Sequence, residues 1–151
     1  MTIHWTAEDA SRELMAVLPL LNRIIGAELR IEAGEDTTMP QFRLLALINE
    51  QPQTLSALAA KRRVSLQAAG ESIQTLVERG WVTRTPDAED RRQSLLDLSE
   101  IGRAHYVRAQ SRMLTRLIPL LEKLSAEEMA AVQRTLPALH RVLTSIETDE
   151  K

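Results

Sequence analysis

The 151-residue sequence contains no cysteine and only four aromatic residues, which are Trp5, Phe42, Trp81 and Tyr106. The lack of cysteine excludes disulfide bonds, thiolate zinc sites, a cysteine nucleophile and thiol-based redox sensing. A chain that is rich in aliphatic residues and poor in aromatic ones favours helices over a β-sandwich. Its length predicts one domain, with or without an added oligomerisation element.

Long apolar runs are also missing. The longest one, Ala16 to Leu21, is too short to cross a bilayer, and the N-terminus lacks the basic-then-apolar pattern of a signal peptide. The composition, 44% hydrophobic and 26% charged, is typical of soluble globular domains. We therefore expect a soluble, cytoplasmic protein that does not interact with membranes.

Patterns typical of catalytic and metal sites are absent from the sequence. The three histidines, His4, His105 and His140, are far apart and show no metal-ligand spacing. There is no glycine-rich phosphate loop, no G-x-S-x-G and no Ser–His–Asp arrangement. We therefore expect no enzymatic activity, no cofactor and no metal.

Charge is unevenly distributed along the chain. The net charge of −2 argues against a protein that binds nucleic acid through bulk charge alone. Residues 1–53, however, carry a net −4, residues 54–96 a net +2 and residues 97–151 a net charge of zero. Positive charge is therefore concentrated in the middle segment.

The middle segment predicts two short helices in close succession. Thr54 is a suitable N-cap for a helix over 55–62, Ser65 for a helix over 66–79, and Gly80 for its termination. Only Arg63 and Val64 lie between the first helix and the second cap, which is a helix-turn-helix spacing. The basic run that ends the first helix either stabilises its C-terminus or contacts phosphate.

A β-hairpin is predicted directly after these helices. Residues 81–85 and 94–98 are typical of short strands, and a charged tip from Asp87 to Gln93 separates them. Arg91 and Arg92 on this tip suit the negative potential of a narrow minor groove. The spacing between Asp90 and Arg92 suits a carboxylate that orients the arginine. A solvated charged turn is the alternative.

The second helix of the pair has one polar face without large apolar groups. On a helical wheel the inward side is formed by Leu66, Ala69, Ile73, Leu76 and Val77. The opposite side carries small and polar residues, which are Gln67, Ala68, Glu71, Thr75 and Glu78. This face fits a major groove, and Ser65 with the free N–H groups at the helix start suits a phosphate. The alternative is an ordinary solvated helix. However, the helix-turn-helix spacing and the following hairpin with its basic tip, which would form a wing beside the helices, together favour a role in DNA binding.

Longer helices are expected on both sides of this segment. Their approximate ranges are 7–32, 40–50, 100–124 and 126–146, with bends expected at Pro19, Pro119 and Pro137. The last helix shows a heptad seam formed by Met129, Val132, Leu136, Leu139, Leu143 and Ile146. This seam packs either within one chain or between two chains.

The stretch from Thr54 to Gly102 resembles the core of the MarR family of winged-helix transcriptional regulators. The similarity is carried by residues 76–82 (LVERGWV), 87–92 (DAEDRR) and 98–102 (LSEIG). The family pattern is close to D-P-x-D-R-R followed by L-T-x-x-G, so Ala88 and Ser99 are mild departures. Arg63 stands where a turn glycine is frequent. Glu71 stands where a basic residue is frequent, and it either accepts from a cytosine amino group or weakens phosphate binding.

The resemblance, which covers roughly residues 8–147, implies a mainly α fold with a small β-hairpin wing. A winged helix-turn-helix region at 38–98 would lie between dimerisation helices at 7–33 and 99–147 of a single chain. Contacts to double-stranded DNA are expected from Arg62, Ser65, Gln67, Ala68, Glu71, Thr75, Asp90, Arg91 and Arg92.

The resemblance also implies a homodimer that binds a pseudo-palindromic operator, as a repressor relieved by a small aromatic or phenolic ligand. Candidate ligand-binding residues are Asn22, Phe42, Arg43 and Tyr106. Without cysteine, the oxidation-sensing branch of the family is excluded. The alternative is a dimeric protein-interaction module of winged-helix fold that does not bind DNA. Glu71 and Glu78 favour this alternative, because they place negative charge on the helix over 66–79, which we call the reading helix.

Overall fold

The computed structural model describes residues 5–30 and 37–146, which form helices and three short strands. In chain order the elements are α1 (Ala7–Leu29), α2 (Met39–Glu50), β1 (Gln53–Thr54), α3 (Leu55–Arg62), α4 (Leu66–Glu78), β2 (Val82–Pro86), β3 (Ser94–Leu98), α5 (Glu100–Leu121) and α6 (Ala126–Ile146). The expected fold class, mainly α with a small β wing, is confirmed. Within the described ranges, no helix combines the length and apolar character needed to cross a bilayer.

The helices begin where side chains cap them. Thr6 and Thr38 each form a reciprocal capping box with the residue three positions later, and Ser65 and Ser99 accept hydrogen bonds from the first turns of their helices. These hydrogen bonds satisfy backbone N–H groups that have no partner within the helix. Most helix starts were therefore predictable from the sequence.

The helix ends differ more from expectation. α1 ends at Leu29 and α5 at Leu121, each three residues before the predicted end. Arg30 caps the end of α1, and residues 31 and 32 of the predicted first helix lie outside the described residues. α1, α5 and α6 continue through Pro19, Pro119 and Pro137, and the bends expected there stay predictions.

The wing is a three-stranded antiparallel sheet with the strand order β1-β3-β2. The predicted hairpin β2–β3 is confirmed, whereas β1 is additional, because the sequence indicates Thr54 only as a helix N-cap. Gln53 pairs with Leu96, and its buried side chain donates from Nε2 to the carbonyls of Leu47 (3.4 Å) and Gln51 (3.2 Å). A two-residue strand has too few positions to show an alternating pattern.

The main core lies between α2, α3, α4 and the sheet. Its largest fully buried side chains include Leu44, Leu45, Ile48, Leu58, Ile73, Leu76 and Leu96. In α2 the buried stripe includes Leu44, Leu45 and Ile48, while Phe42 and Ala46 are half-buried. The inward position predicted for Leu66 is wrong, since this side chain is 56% exposed. Leu66 is the first residue of α4, one turn before the buried Ala69, where the helix extends past the core.

A second, smaller apolar cluster joins α1 to α5. It contains Leu29, Ala109 and Met113, with Ile25, Met39 and Phe42 packed against it. Phe42 also packs against the main core, where its ring stacks on that of Tyr106 with centroids 5.2 Å apart. Phe42 therefore connects the two clusters.

α5 begins directly against the backbone of Trp81. The N–H of Ser99 donates to the Trp81 carbonyl at 2.9 Å, and the Ser99 hydroxyl donates to the Gly80 carbonyl at 2.5 Å. A Cβ on Gly102 would lie 1.9 Å from the Trp81 carbonyl oxygen, so a side chain has no room at this position. Close backbone contact therefore explains the glycine.

The Trp81 side chain extends the same junction. Its ring stacks on that of His105 with centroids 3.8 Å apart, and the Arg79 guanidinium lies 4.9 Å from its centroid. The buried Nε2 of His105 is 2.7 Å from the Thr37 hydroxyl, just before α2. The end of α4, the start of α5 and the residues before α2 therefore meet at Trp81.

We predict that Gly102→Ala destabilises the protein by about 3 kcal/mol, because the new methyl group overlaps the Trp81 backbone. Urea unfolding followed by circular dichroism measures the change. Gly70→Ala is the matched control. The nearest atom to its added Cβ lies 3.7 Å away, so this change should raise stability by roughly 1 kcal/mol. Equal effects of the two substitutions would contradict the packing argument.

Candidate nucleic-acid interface

The outward side of α4 is polar, as the helical wheel predicted. Gln67, Ala68 and Glu71 are exposed and Thr75 is half-buried, opposite the buried Ala69, Ile73 and Leu76. We call Gln67, Ala68, Glu71 and Thr75 the reading face. At about 100° per residue, Glu71 lies near its centre. Apart from the carboxylate, the reading face offers only short or amide side chains, so another surface can approach α4 closely.

The start of α4 presents unpaired backbone donors. The Ser65 hydroxyl accepts the N–H of Ala68 at 3.1 Å, which leaves the earlier N–H groups of the first turn without an intrahelical partner. These groups and the helix dipole favour an anion such as a phosphate oxygen. Arg63, in the turn before Ser65, has a left-handed backbone with φ of 50°. It therefore adopts the conformation for which glycine is common in such turns.

Polar side chains along α4 are paired at helical spacing. Gln67 Nε2 donates to Glu71 Oε1 at 3.2 Å, and the Thr75 hydroxyl donates to the Glu71 carbonyl at 3.2 Å. One heptad later, Gln74 Nε2 donates to Glu78 Oε1 at 3.0 Å. Gln74 is not among the site residues predicted from the sequence. The repeat of a Gln–Glu pair seven residues later would have indicated it.

Gln74 also connects α4 to the wing. Arg84 on β2 donates from Nη2 to Gln74 Oε1 at 3.1 Å. The second Gln–Glu pair is therefore held against the sheet, whereas neither Gln67 nor Glu71 bonds to the sheet.

The tip of the wing is shaped by Asp90. Its Oδ1 accepts the backbone N–H of Arg92 at 3.0 Å and its Oδ2 accepts the Gln93 side-chain amide at 3.1 Å. These two hydrogen bonds, that from Arg92 first, lower the pKa of the Asp90 carboxyl. The sequence suggested that Asp90 orients the arginine, and the hydrogen bond goes to the arginine backbone, not to its guanidinium. Asp90 thus fixes the turn from which exposed Arg91 and Arg92 project.

The wing tip and the start of α4 lie beside each other. A cleft of about 350 Å³, which we call the helix–wing cleft, is lined by Leu66 and Ile73 of α4 and by Arg84 and Arg92 of the wing, among others. The hydroxyl of Ser56 donates to Gln93 Oε1 at 3.3 Å across this region. Arg92 and the N-terminal half of α4 are therefore parts of one surface.

Arg62 occupies a different place from the other expected DNA contacts. Its Nη1 donates to the Pro40 carbonyl at 2.7 Å, and burial followed by the nearby charge of Arg43 lowers its pKa. The guanidinium thus connects the end of α3 to the start of α2. A contact between Arg62 and DNA stays a prediction.

The structure places the four candidate ligand-binding residues in different surroundings, and their role in ligand binding stays a prediction. Tyr106 is buried against Phe42 and accepts from the Gln110 amide at 3.3 Å; burial and then Glu50 raise the pKa of its phenol. Arg43 is exposed. Asn22 lines a separate cleft of about 410 Å³, which we call the α1–α2 cleft, together with Gly26, Leu29, Arg30, Thr37, Thr38 and Met39.

Within residues 5–30 and 37–146, no group of histidine and acidic side chains is arranged to hold a metal ion.

The arrangement of α3, α4 and the three-stranded sheet is that of a winged helix-turn-helix protein, with the capped start of α4 next to a basic wing tip.

Comparison with known proteins identifies the family. A model described as MarR family matches residues 35–93. The HTH-type transcriptional regulator YfiV of Bacillus subtilis is 32% identical over 109 residues, which are 72% of this chain and 68% of that protein. The chain belongs to the MarR family of transcriptional regulators.

Solved structures agree with this assignment. RV1404 from Mycobacterium tuberculosis is similar with a TM-score of 0.79 and 26% identity, over 92% of this chain and 95% of that one. A mutant MarR from E. coli, crystallised in complex with operator DNA, is similar with a TM-score of 0.66 and 26% identity, over 85% and 91% of the two chains.

We predict that Asp90 keeps the wing tip ordered down to low pH. Because its folded-state pKa is lowered, its stabilising contribution is present above the ordinary pKa and is lost only as the pH falls through the lower folded value. In an NMR titration, the Arg92 amide signal should therefore hold its neutral-pH position until below about pH 4. In the Asp90→Asn control, which retains an acceptor but does not titrate, the movement of the Arg92 amide signal at low pH should be absent. A transition above pH 4 would contradict the prediction.

Proposed function

We propose that this protein is a sequence-specific DNA-binding regulator that binds a pseudo-palindromic operator as a homodimer. We further propose that it is a repressor, relieved by a small aromatic or phenolic ligand. The observation that carries the proposal is the shared surface of α4 and the wing, in which Arg92 lines the same cleft as the start of α4. One surface thus offers a helix to the major groove and an arginine to the adjacent minor groove.

Each part of this surface has its own role in the proposed complex. The N-terminus of α4, capped by Ser65, would hold a backbone phosphate, and the reading face would contact base edges. Arg91 and Arg92 would enter the minor groove, where negative potential is concentrated. Because the net charge of residues 54–96 is only +2, affinity would depend on close fit and on two copies of the interface.

Dimerisation is supported by apolar side chains that remain exposed in one chain. On α1, Met15 is 75% and Leu18 58% exposed; on α6, Leu136 is 57% and Leu143 55% exposed. Of the α6 side chains that the structure describes, none is buried. An amphipathic helix that leaves most of its apolar face exposed within its own chain is suited to pack against a partner.

The total surface area supports the same proposal. The chain exposes 11183 Å², whereas a compact monomer of 17.0 kDa exposes about 7,700 Å². A two-fold dimer through residues 7–33 and 99–147 would cover part of this excess and present two 38–98 regions to half-sites one helical turn apart.

The proposed ligand response is supported by the α1–α2 cleft. Thr37 lines this cleft, and its hydroxyl bonds to His105, which stacks on Trp81 at the end of α4. A small ligand beside Asn22 would therefore contact a residue that is connected to the reading helix, and a shift there would release the operator. Phe42 and Tyr106 would form the wall behind the cleft, and Arg43 would lie outside it.

A protein-interaction module without DNA binding is the second candidate. It is favoured by one observation, namely that Glu71 and Glu78 place two carboxylates on the outer side of α4. Carboxylates at these positions repel DNA phosphates unless they accept hydrogen bonds from amino groups of the bases.

We predict that Arg92→Ala weakens operator binding about tenfold or more, because the minor-groove contact is lost from both half-sites. Electrophoretic mobility shift with a selected operator measures the affinity. Arg108→Ala removes the same charge at an exposed position of α5, away from the proposed DNA contacts. Because α5 belongs to the proposed dimerisation segments, sedimentation first establishes that this variant is a dimer, and its affinity should then stay close to that of the unaltered protein.

Two outcomes would contradict this role. Equal losses in both variants would show that only bulk charge matters. Binding that does not weaken as salt is raised would exclude phosphate contacts and favour the interaction module.

We predict that the protein sediments as a dimer at micromolar concentration and that Leu136→Glu converts it to monomers. A carboxylate in the apolar seam would be buried without a partner on association. Leu66→Glu, at a 56% exposed position of α4 outside both proposed dimerisation segments, is the control and should remain dimeric. A monomeric unaltered protein would refute the role of α6 as a dimerisation helix.

A further inference from the structure

Glu71 stands at the centre of a surface that, in the proposed function, faces negatively charged DNA. Its neighbours one turn away on either side are Gln67, Ala68, Gln74 and Thr75, none of which is basic. No ion pair within α4 therefore competes for this carboxylate. The side chain is nevertheless held, because Oε1 accepts the Gln67 amide at 3.2 Å.

This arrangement leaves a defined set of polar groups. Oε2 of Glu71 forms no hydrogen bond with any described residue, and the Gln67 amide retains one N–H and its own oxygen. The Thr75 hydroxyl is occupied by the Glu71 carbonyl, so it adds no donor beside the carboxylate. The centre of the reading face is therefore an oriented acceptor.

From this geometry we infer that Glu71, positioned by Gln67, selects a cytosine in each half of the operator. The inference rests on the proposed DNA-binding function. In the major groove cytosine presents an amino donor, whereas guanine and thymine present acceptors that an ionised carboxylate repels. Adenine presents a donor beside the N7 acceptor, which also faces the carboxylate unfavourably. Cytosine is thus the base that best compensates for a negative charge in the groove.

The Gln67 amide has a second role in this arrangement. With one N–H directed to Glu71, its remaining N–H and its oxygen are available to the neighbouring base pair. The two side chains therefore contact adjacent base pairs as one unit. Glu71 contacts cytosine, and Gln67 accepts more than one base at the neighbouring position. Gln67 is a positioning residue for Glu71 as well as a contact.

The second Gln–Glu pair supplies a matched control. Gln74 and Glu78 have the same spacing and the same hydrogen bond, at 3.0 Å, but lie about 10 Å further along the helix and are tied to the wing through Arg84. In a helix whose N-terminal residues contact bases, Glu78 would lie beyond them.

The test compares Glu71→Gln and Glu78→Gln with the unaltered full-length protein. Each is used to select binding sites from a random DNA library, and affinities for selected and random DNA are then measured by mobility shift. Both substitutions remove one negative charge, so both should bind random DNA more tightly. Only Glu71→Gln should lose the cytosine, with about tenfold less discrimination against the other bases at that position. Circular dichroism confirms that the variants fold.

The outcomes are distinguishable. A cytosine that disappears only in Glu71→Gln supports the inference. If Glu71→Gln retains the cytosine, or raises affinity for all sequences equally, Glu71 merely weakens phosphate binding and the inference is overturned, while the regulator function stands. If the unaltered protein selects no sequence, the proposed function fails and the inference fails with it.

Discussion

The carbonyl oxygen of Trp81 accepts the N–H of Ser99, and this hydrogen bond joins the end of β3 to the turn that follows α4. Because Gly102 lies directly against the same backbone, the first turn of α5 packs closely on Trp81. The Trp81 ring then packs on His105, whose imidazole reaches Thr37 before α2. The orientation of the reading helix relative to the long helices therefore depends on a backbone contact and not on an apolar seam alone.

Local chemistry explains which parts of the fold could be predicted from the sequence. Capping side chains such as Ser65 and Ser99 act within one helical turn, and Gly80, with φ of 72°, marks a helix end through its own backbone freedom. β1, in contrast, exists because Gln53 meets Leu96 across 43 residues of chain. The exposure of Leu66 likewise depends on where the core ends, which no local pattern contains.

The candidate site divides in the same way. The outward face of α4 was predictable, because a helix of 3.6 residues per turn determines which positions lie opposite the core. The partners within that face were not, since the Gln67 amide has several rotamers and the structure selects the one that meets Glu71. For Asp90, the spacing correctly identified Arg92 as the partner, but the hydrogen bond comes from the backbone N–H of Arg92 and not from its guanidinium. Two of the expected ligand residues, Phe42 and Tyr106, pack in or against the core, which the sequence pattern alone did not show.

Arg63 adopts a left-handed conformation in the turn between α3 and α4. For a residue with a side chain this conformation costs roughly 1–2 kcal/mol in the folded protein. A glycine there would avoid the strain, but it would give the unfolded chain more conformations to lose on folding. The strain is the larger effect, because the entropy effect is only about 0.4–1 kcal/mol, so a turn built on arginine costs up to about 1 kcal/mol relative to glycine. The chain thus carries a positive charge just before the reading helix at a small cost in stability.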